Sequence, residues 1–147
     1  MSENKHYHAE FTIPAESEYT YLCTCIDHRF FEAILAEYRE LTGNHFVYLE
    51  TEMGGAPSFG TRPRSAEEAY ENPQILARKM GWAAHGSGCA GFPGRPDEAM
   101  RAKLAATVAE RRRDFPLATH FALFAFIDHG KVVVDVTELP PEEASGR

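Results

Sequence analysis

Cys25, Asp27 and Arg29 stand two residues apart in the stretch 21–30, and His85 and Cys89 stand some sixty residues further on in the glycine-rich stretch 82–91. The first stretch opens as a run of strand formers and ends in a thiol, a carboxylate and a guanidinium. Alternation along a continuing strand would put all three on one side. A strand ending near Cys25 is the preferred reading, with Asp27 and Arg29 lining the loop beyond it. Ligands in open α/β sheets bind in the crevice outside the carboxyl ends of strands. Around His85 and Cys89 the glycines let the backbone bend so that both side chains can face one point. Cys25, His85 and Cys89 then form a Cys2His set. Three protein ligands and one open position is the pattern of a catalytic zinc, whereas structural zinc usually takes four.

The motif Cys25-x-Asp27-x-Arg29, followed by a His and a Cys in a glycine-rich turn, resembles the β-carbonic anhydrase family. The resemblance implies that Cys25, His85 and Cys89 bind zinc and that Asp27 and Arg29 form a dyad beside it. It extends more loosely over about residues 19–137. It differs at one point: three residues separate His85 from Cys89, where the family usually has two. The implied activity is hydration of CO2 to bicarbonate. A zinc ion can bring bound water to a pKa near ~7, and the resulting hydroxide attacks the carbon. Asp27 would accept the hydroxide's hydrogen bond, and Arg29 would hold that carboxylate by a bidentate pair. Asp27 as a fourth ligand is the other arrangement seen in the family. Relatives on the same site hydrolyse carbonyl sulfide or carbon disulfide, and a non-enzymatic module with Asp27 permanently on zinc is a further alternative. The family also implies a homodimer with the active site near its interface.

An α/β fold must position these residues: a mostly parallel central sheet of about four or five strands, helices on its faces and an antiparallel hairpin at the C-terminal edge. Residues 19–25 read as the first core strand. Cys23 within it reads as a small buried hydrophobe; the rival readings are that it replaces Cys25 as ligand or forms a disulfide with it. Residues 30–42 read as a helix with Phe30, Phe31, Ile34, Leu35, Tyr38 and Leu41 on its apolar stripe, stopped by Gly43-Asn44. A second strand is predicted over 45–52, and Gly54-Gly55 after it matches a turn that borders the active site in β-carbonic anhydrases. Ser65 and Glu68 have the spacing of a capping box. The helix they open breaks at Pro73, resumes over 74–80 and gives way to a brief strand, 82–84, that delivers His85. Asp97 is expected to cap a long helix to about Arg113, with Met100, Leu104, Val108 and Phe115 on its buried face. Strands over 121–127 and 131–136 pair through Asp128-His129-Gly130.

The 147 residues read as one domain with flexible tails at about 1–17 and 140–147. The first tail holds a short strand at Phe11-Thr12-Ile13, stopped by Pro14, and a His6-x-His8 pair that reads as plain tail. A formal net charge of −7 argues against general nucleic-acid binding. Arg111-Arg112-Arg113 reads as a solvated helix end. No apolar run is long enough for a membrane span, and the start has no signal-peptide core. Three cysteines, two of them claimed as reduced ligands, agree with a cytoplasmic protein. His28, His45, His120 and His129 receive no role, although His28 adjoins the site.

Overall fold

The computed structural model describes residues 4–12, 18–43 and 46–142. Nine elements follow in order: β1 (Thr20–Thr24), α1 (Phe31–Thr42), β2 (Val47–Thr51), a short 3-10 turn (Ala56–Ser58), α2 (Arg64–Glu71), β3 (Lys79–His85), α3 (Asp97–Asp114), β4 (Thr119–Asp128) and β5 (Lys131–Leu139). They build one five-stranded sheet in the order β2-β1-β3-β4-β5. Its first three pairings are parallel, and β4–β5 is antiparallel. The expected α/β architecture is therefore present, with the hairpin at the C-terminal edge.

Strand alternation sorts the core into two layers. Tyr21, Cys23, Met80, Trp82, Ala84 and Phe124 face α2 and α3, where Met100, Leu104 and Val108 of α3 meet them. Leu22, Ala83, Leu123 and Ala125 face α1 and its residues Phe30, Ile34 and Tyr38. Strands covered on both faces read as nearly continuous apolar runs, and every residue of β1 is buried. In α1 the buried stripe is narrower than predicted. Ile34 and Tyr38 are buried, whereas Leu41 is 43% exposed. Tyr38 closes its own polar requirement by donating its hydroxyl to the Tyr21 carbonyl at 2.7 Å.

The stretch 74–85 departs most from expectation. Residues 74–78 are not helical, and β3 begins at Lys79 rather than Trp82. Pro73 has no N–H to continue the ladder. The amides of Ile75 and Leu76 instead close a turn on the Asn72 carbonyl. Leu76 then takes a left-handed conformation and turns the chain toward the sheet. β3 sits at the centre of the sheet, although Gly81, Ala83 and Ala84 supply little apolar bulk. Neighbours supply it: a methyl at Gly81 would lie 2.6 Å from the Tyr38 ring and 2.9 Å from Leu22. The space beside β3 is thus filled from α1 and β1.

Three local readings are corrected. Pro63 stands at the N-cap of α2 with no side-chain cap, and Ser65 Oγ instead shares a hydrogen bond of 2.9 Å with the Tyr21 hydroxyl. Pro96, not Asp97, is the N-cap of α3. Arg111 is no solvated helix end. It is 2% exposed, donating to Asp114 at 2.8 Å and to the Phe59 carbonyl at 3.4 Å. Residues 11 and 12 are not in a strand. Ile13, Pro14, Asn44 and His45, with their predicted strand and helix-stop roles, lie outside the described residues. Arg112 donates to the Pro140 carbonyl at 2.7 Å, so the chain stays attached to α3 just beyond β5. Among the described residues no helix is long and apolar enough to cross a membrane.

Candidate metal centre

The sheet order places β1 beside β3, and the connections leaving their carboxyl ends go to opposite faces, α1 on one and α3 on the other. Such a divergence leaves a crevice at the strand ends. β1 ends at Thr24, so Cys25 is the first residue beyond it, and His85 is the last residue of β3. Cys89 follows from the loop toward α3. Donor atoms of the three lie within 4.8 Å of one another, and all three side chains are buried.

His85 is prepared as a ligand. Its Nδ1 lies 2.8 Å from the Gly86 carbonyl oxygen, which can only accept, so Nδ1 carries a proton and Nε2 is the nitrogen left to face a ligand. The ring stacks on Phe30 with centroids 4.4 Å apart. Nε2 is buried with no hydrogen-bond partner among the described residues. A buried polar atom left without a partner is costly. A cation held jointly with Cys25 and Cys89 Sγ would remove that cost.

Asp27 stands beside this trio. Its Oδ2 is 3.6 Å from His85 Nε2, too long for a hydrogen bond. It is engaged on Arg29, whose Nε donates to Oδ1 at 3.1 Å and whose Nη2 donates to Oδ2 at 2.8 Å. The Arg29 amide adds a third bond to Oδ1 at 2.9 Å. The same guanidinium reaches across to the loop that carries Cys89, donating to the carbonyls of Ser87 at 3.3 Å and Gly88 at 2.8 Å. Arg29 therefore joins the loop after β1 to the loop after β3.

No family model, curated protein or solved structure matches this chain. What the centre can do thus rests on its own chemistry. The buried Cys25–His85–Cys89 group could hold a metal ion.

The electrostatics agree with that capacity. Burial pushes the Cys25 thiol up, but the facing His85 imidazole and the N–H groups of Asp27 and Gly54 outweigh it and hold Cys25 at about 7. The Gly54 amide lies 3.3 Å from the sulfur. Burial, followed by the neighbouring Cys25 sulfur, leaves Cys89 raised. Two sulfurs this close resist carrying negative charge together, and a cation between them would relieve that resistance. For Asp27 the Arg29 hydrogen bonds hold the carboxyl at about 2 against its partial burial.

All five residues singled out by sequence meet here. Cys23 does not. It packs in the layer beneath α2 and α3, its thiol free and pushed up to about 12 by burial and then by Glu50. Its rival readings as ligand or disulfide partner are thereby set aside. His28 is exposed. His120 is buried in the core instead, accepting from Trp82 Nε1 at 2.9 Å and donating to the Phe115 carbonyl at 2.9 Å. Gly54-Gly55 does border the site. A methyl at Gly55 would come within 2.3 Å of the Ala83 carbonyl oxygen and 3.1 Å of the Cys25 nitrogen. Two contributors escaped the sequence reading. Phe30 was read only as helix stripe, although it follows Arg29 directly. Asp97 was read as a cap, whereas its Oδ1 accepts from the Ser87 amide at 2.8 Å in the loop that leads to Cys89; its position just after a glycine-rich loop was the available signal.

Proposed function

We propose that this chain is a zinc-dependent lyase of the β-carbonic anhydrase type, hydrating CO2 to bicarbonate. The observation that carries the reading is Asp27, held by both oxygens on Arg29 beside a buried trio with an unpartnered His85 Nε2. Zinc suits two thiolates and an imidazole, and when bound it supplies a Lewis acid that brings water toward ionisation near neutral pH.

The chain's own residues supply orientation. Asp27 is ionised throughout the neutral range, so its Oδ2 accepts hydrogen bonds and never donates one. A water entering beside His85 can point its proton at Oδ2 and present a lone pair outward. Arg29 fixes the carboxylate by a fork–fork pair and keeps it off the trio. Buried Phe30 and the buried donors keep bulk solvent from the inner side of the centre. A homodimer belongs to the same proposal. Ile26 and Met53, 58% and 55% exposed, adjoin Cys25 and Gly54, and a second copy would cover such apolar side chains next to the site.

The test is stopped-flow CO2 hydration by the zinc-loaded protein, with Asp27→Asn alongside. The asparagine amide can donate as well as accept, so it cannot enforce one orientation. Asp27→Asn is expected to keep the metal and lose about 10²–10³ in turnover, the usual loss for one positioned partner in a transition state. A wild type that binds zinc yet shows no hydration up to about pH 9, where even aqueous zinc ionises water, would sink the enzyme reading and leave a metal-holding module.

A further inference from the structure

We propose that Asp97 is a positioning residue for the metal centre: acting through the Ser87-Gly88 turn, its carboxylate sets where Cys89 stands. The inference rests on the reading of Cys25, His85 and Cys89 as one metal site. It concerns how a loop of three residues between His85 and Cys89 still returns Cys89 Sγ to within 4.8 Å of its partners.

The slack is taken up by two consecutive left-handed residues, Ser87 at φ 54° and Gly88 at φ 85°. Glycine adopts that region freely, whereas serine does so at a cost, so something must hold Ser87 there. Three contacts do. The Ser87 amide donates to Asp97 Oδ1 at 2.8 Å. The Ser87 hydroxyl accepts from the Ile127 amide at 3.1 Å. The Ser87 carbonyl accepts from Arg29 at 3.3 Å. Asp97 is the contact that comes from α3. Loop and carboxylate are fitted together, because a methyl at Gly86 would lie 2.4 Å from Asp97 Cγ and Oδ1.

Asp97 can bear on the loop because its own position is fixed. It is the first residue of α3, where the Met100 amide closes on the Pro96 carbonyl at 3.1 Å. Met100 and Leu104, one and two turns on, are buried against the sheet. The carboxylate therefore transfers the placement of α3 to Ser87, and Cys89 follows two residues later. Metal–sulfur distances tolerate only about 0.2 Å of error, so a loop released from Asp97 presents Cys89 poorly.

Asp97→Ala and Asp97→Asn test this. Asparagine keeps an oxygen that accepts from the Ser87 amide, and alanine does not. Both lose the negative charge at the start of α3, so a role confined to the helix would affect the two alike. Zinc and cobalt affinities of the full chain are measured by competition with a chelating dye, and the visible spectrum of the cobalt-loaded protein reports thiolate coordination. Asp97→Ala is expected to bind about 10–100-fold more weakly, as with other partners that orient metal ligands, with a weakened thiolate–cobalt band. Asp97→Asn is expected to stay near wild type in both. Wild-type affinity and spectrum in Asp97→Ala, or equal losses in both variants, would overturn the inference. Gly86→Ala probes the same contact from the loop side, should Asp97→Ala fail to fold; its methyl displaces the carboxylate, and unchanged metal affinity there would equally overturn it. A wild type that takes up neither metal would remove the metal site itself, a result distinct from any behaviour of the Asp97 variants.

Discussion

Cys23 and Cys25 share a side-chain type and nearly a position, yet their surroundings make them different reagents. Cys23 is enclosed by the core beneath α2 and α3, which holds it as a neutral thiol. Cys25 lies one residue past the strand, where an imidazole and two amides favour the thiolate. Cys25→Ser is therefore expected to abolish stoichiometric metal uptake, while Cys23→Ser retains it and loses about 1 kcal/mol of stability through a poorly matched hydroxyl in the core. Elemental analysis of the purified variants decides, and full metal content in Cys25→Ser would sink the ligand assignment. At this scale the sequence was informative where chemistry is local. Asp27 and Arg29 pair across two residues, so the short motif that carries the family resemblance was enough to suggest the dyad. The Asp97–Ser87 contact joins a helix start to a loop ten residues earlier, follows no period, and looked like an ordinary cap.

Elements transmit placement to the site through backbone contacts that have no room to give. Gly55 combines a φ of 69° with a Cβ position 2.3 Å from the Ala83 carbonyl of β3 and 3.1 Å from the Cys25 amide. Gly43, closing α1 at φ 66°, has nothing within 4 Å of its Cβ position. Gly43→Ala is expected to cost only the left-handed penalty of roughly 1–2 kcal/mol. Gly55→Ala should cost roughly 1–3 kcal/mol more, because it also wedges the ends of β1 and β3 apart. Urea unfolding of the two variants measures the difference, and equal losses would show that the close approach carries no energy. The element most badly read from sequence was β3. It was read as only the brief stretch 82–84, because the side chains that fill the space beside Gly81 belong to α1 and β1, and those contacts have no local signature. The helix predicted over 74–80 failed for a related reason: its residues satisfy helical spacing, but Pro73 and the turn on Asn72 had already released the chain to the sheet. By contrast α3 and the β4–β5 hairpin were legible, since their apolar periods and turn residues are contained within the elements themselves.

At the scale of the whole molecule, alternation of strands and helices was enough to give a mostly parallel sheet with an antiparallel edge. The strand order required the third dimension. Burial also writes a pH dependence into this core. His120 sits between Trp82 and Phe115 as a neutral imidazole, and burial, which outweighs the Phe115 carbonyl, depresses its proton affinity below the ordinary value near 6.5. Unfolded chains bind that proton as pH falls through about 6.5 and the folded chain does not, so the His120 contribution is intact above that range and is lost below it. Wild type is expected to lose stability on acidification more steeply than His120→Gln, by at most about 1.4 kcal/mol per pH unit for one proton. Denaturation at a series of pH values provides the comparison; parallel curves would exclude His120 as the source. The placement of the trio has a further consequence. Cys25 and Cys89 lie on either side of α1, β2, α2 and β3, so an ion gripping both would act on the unfolded chain as a cross-link spanning some sixty residues. Closing a loop of that length removes entropy worth about 4 kcal/mol, a sizeable part of what holds any single domain together. The supply of metal during synthesis would then govern how much of this chain reaches its folded form, independently of whether the ion ever meets a substrate.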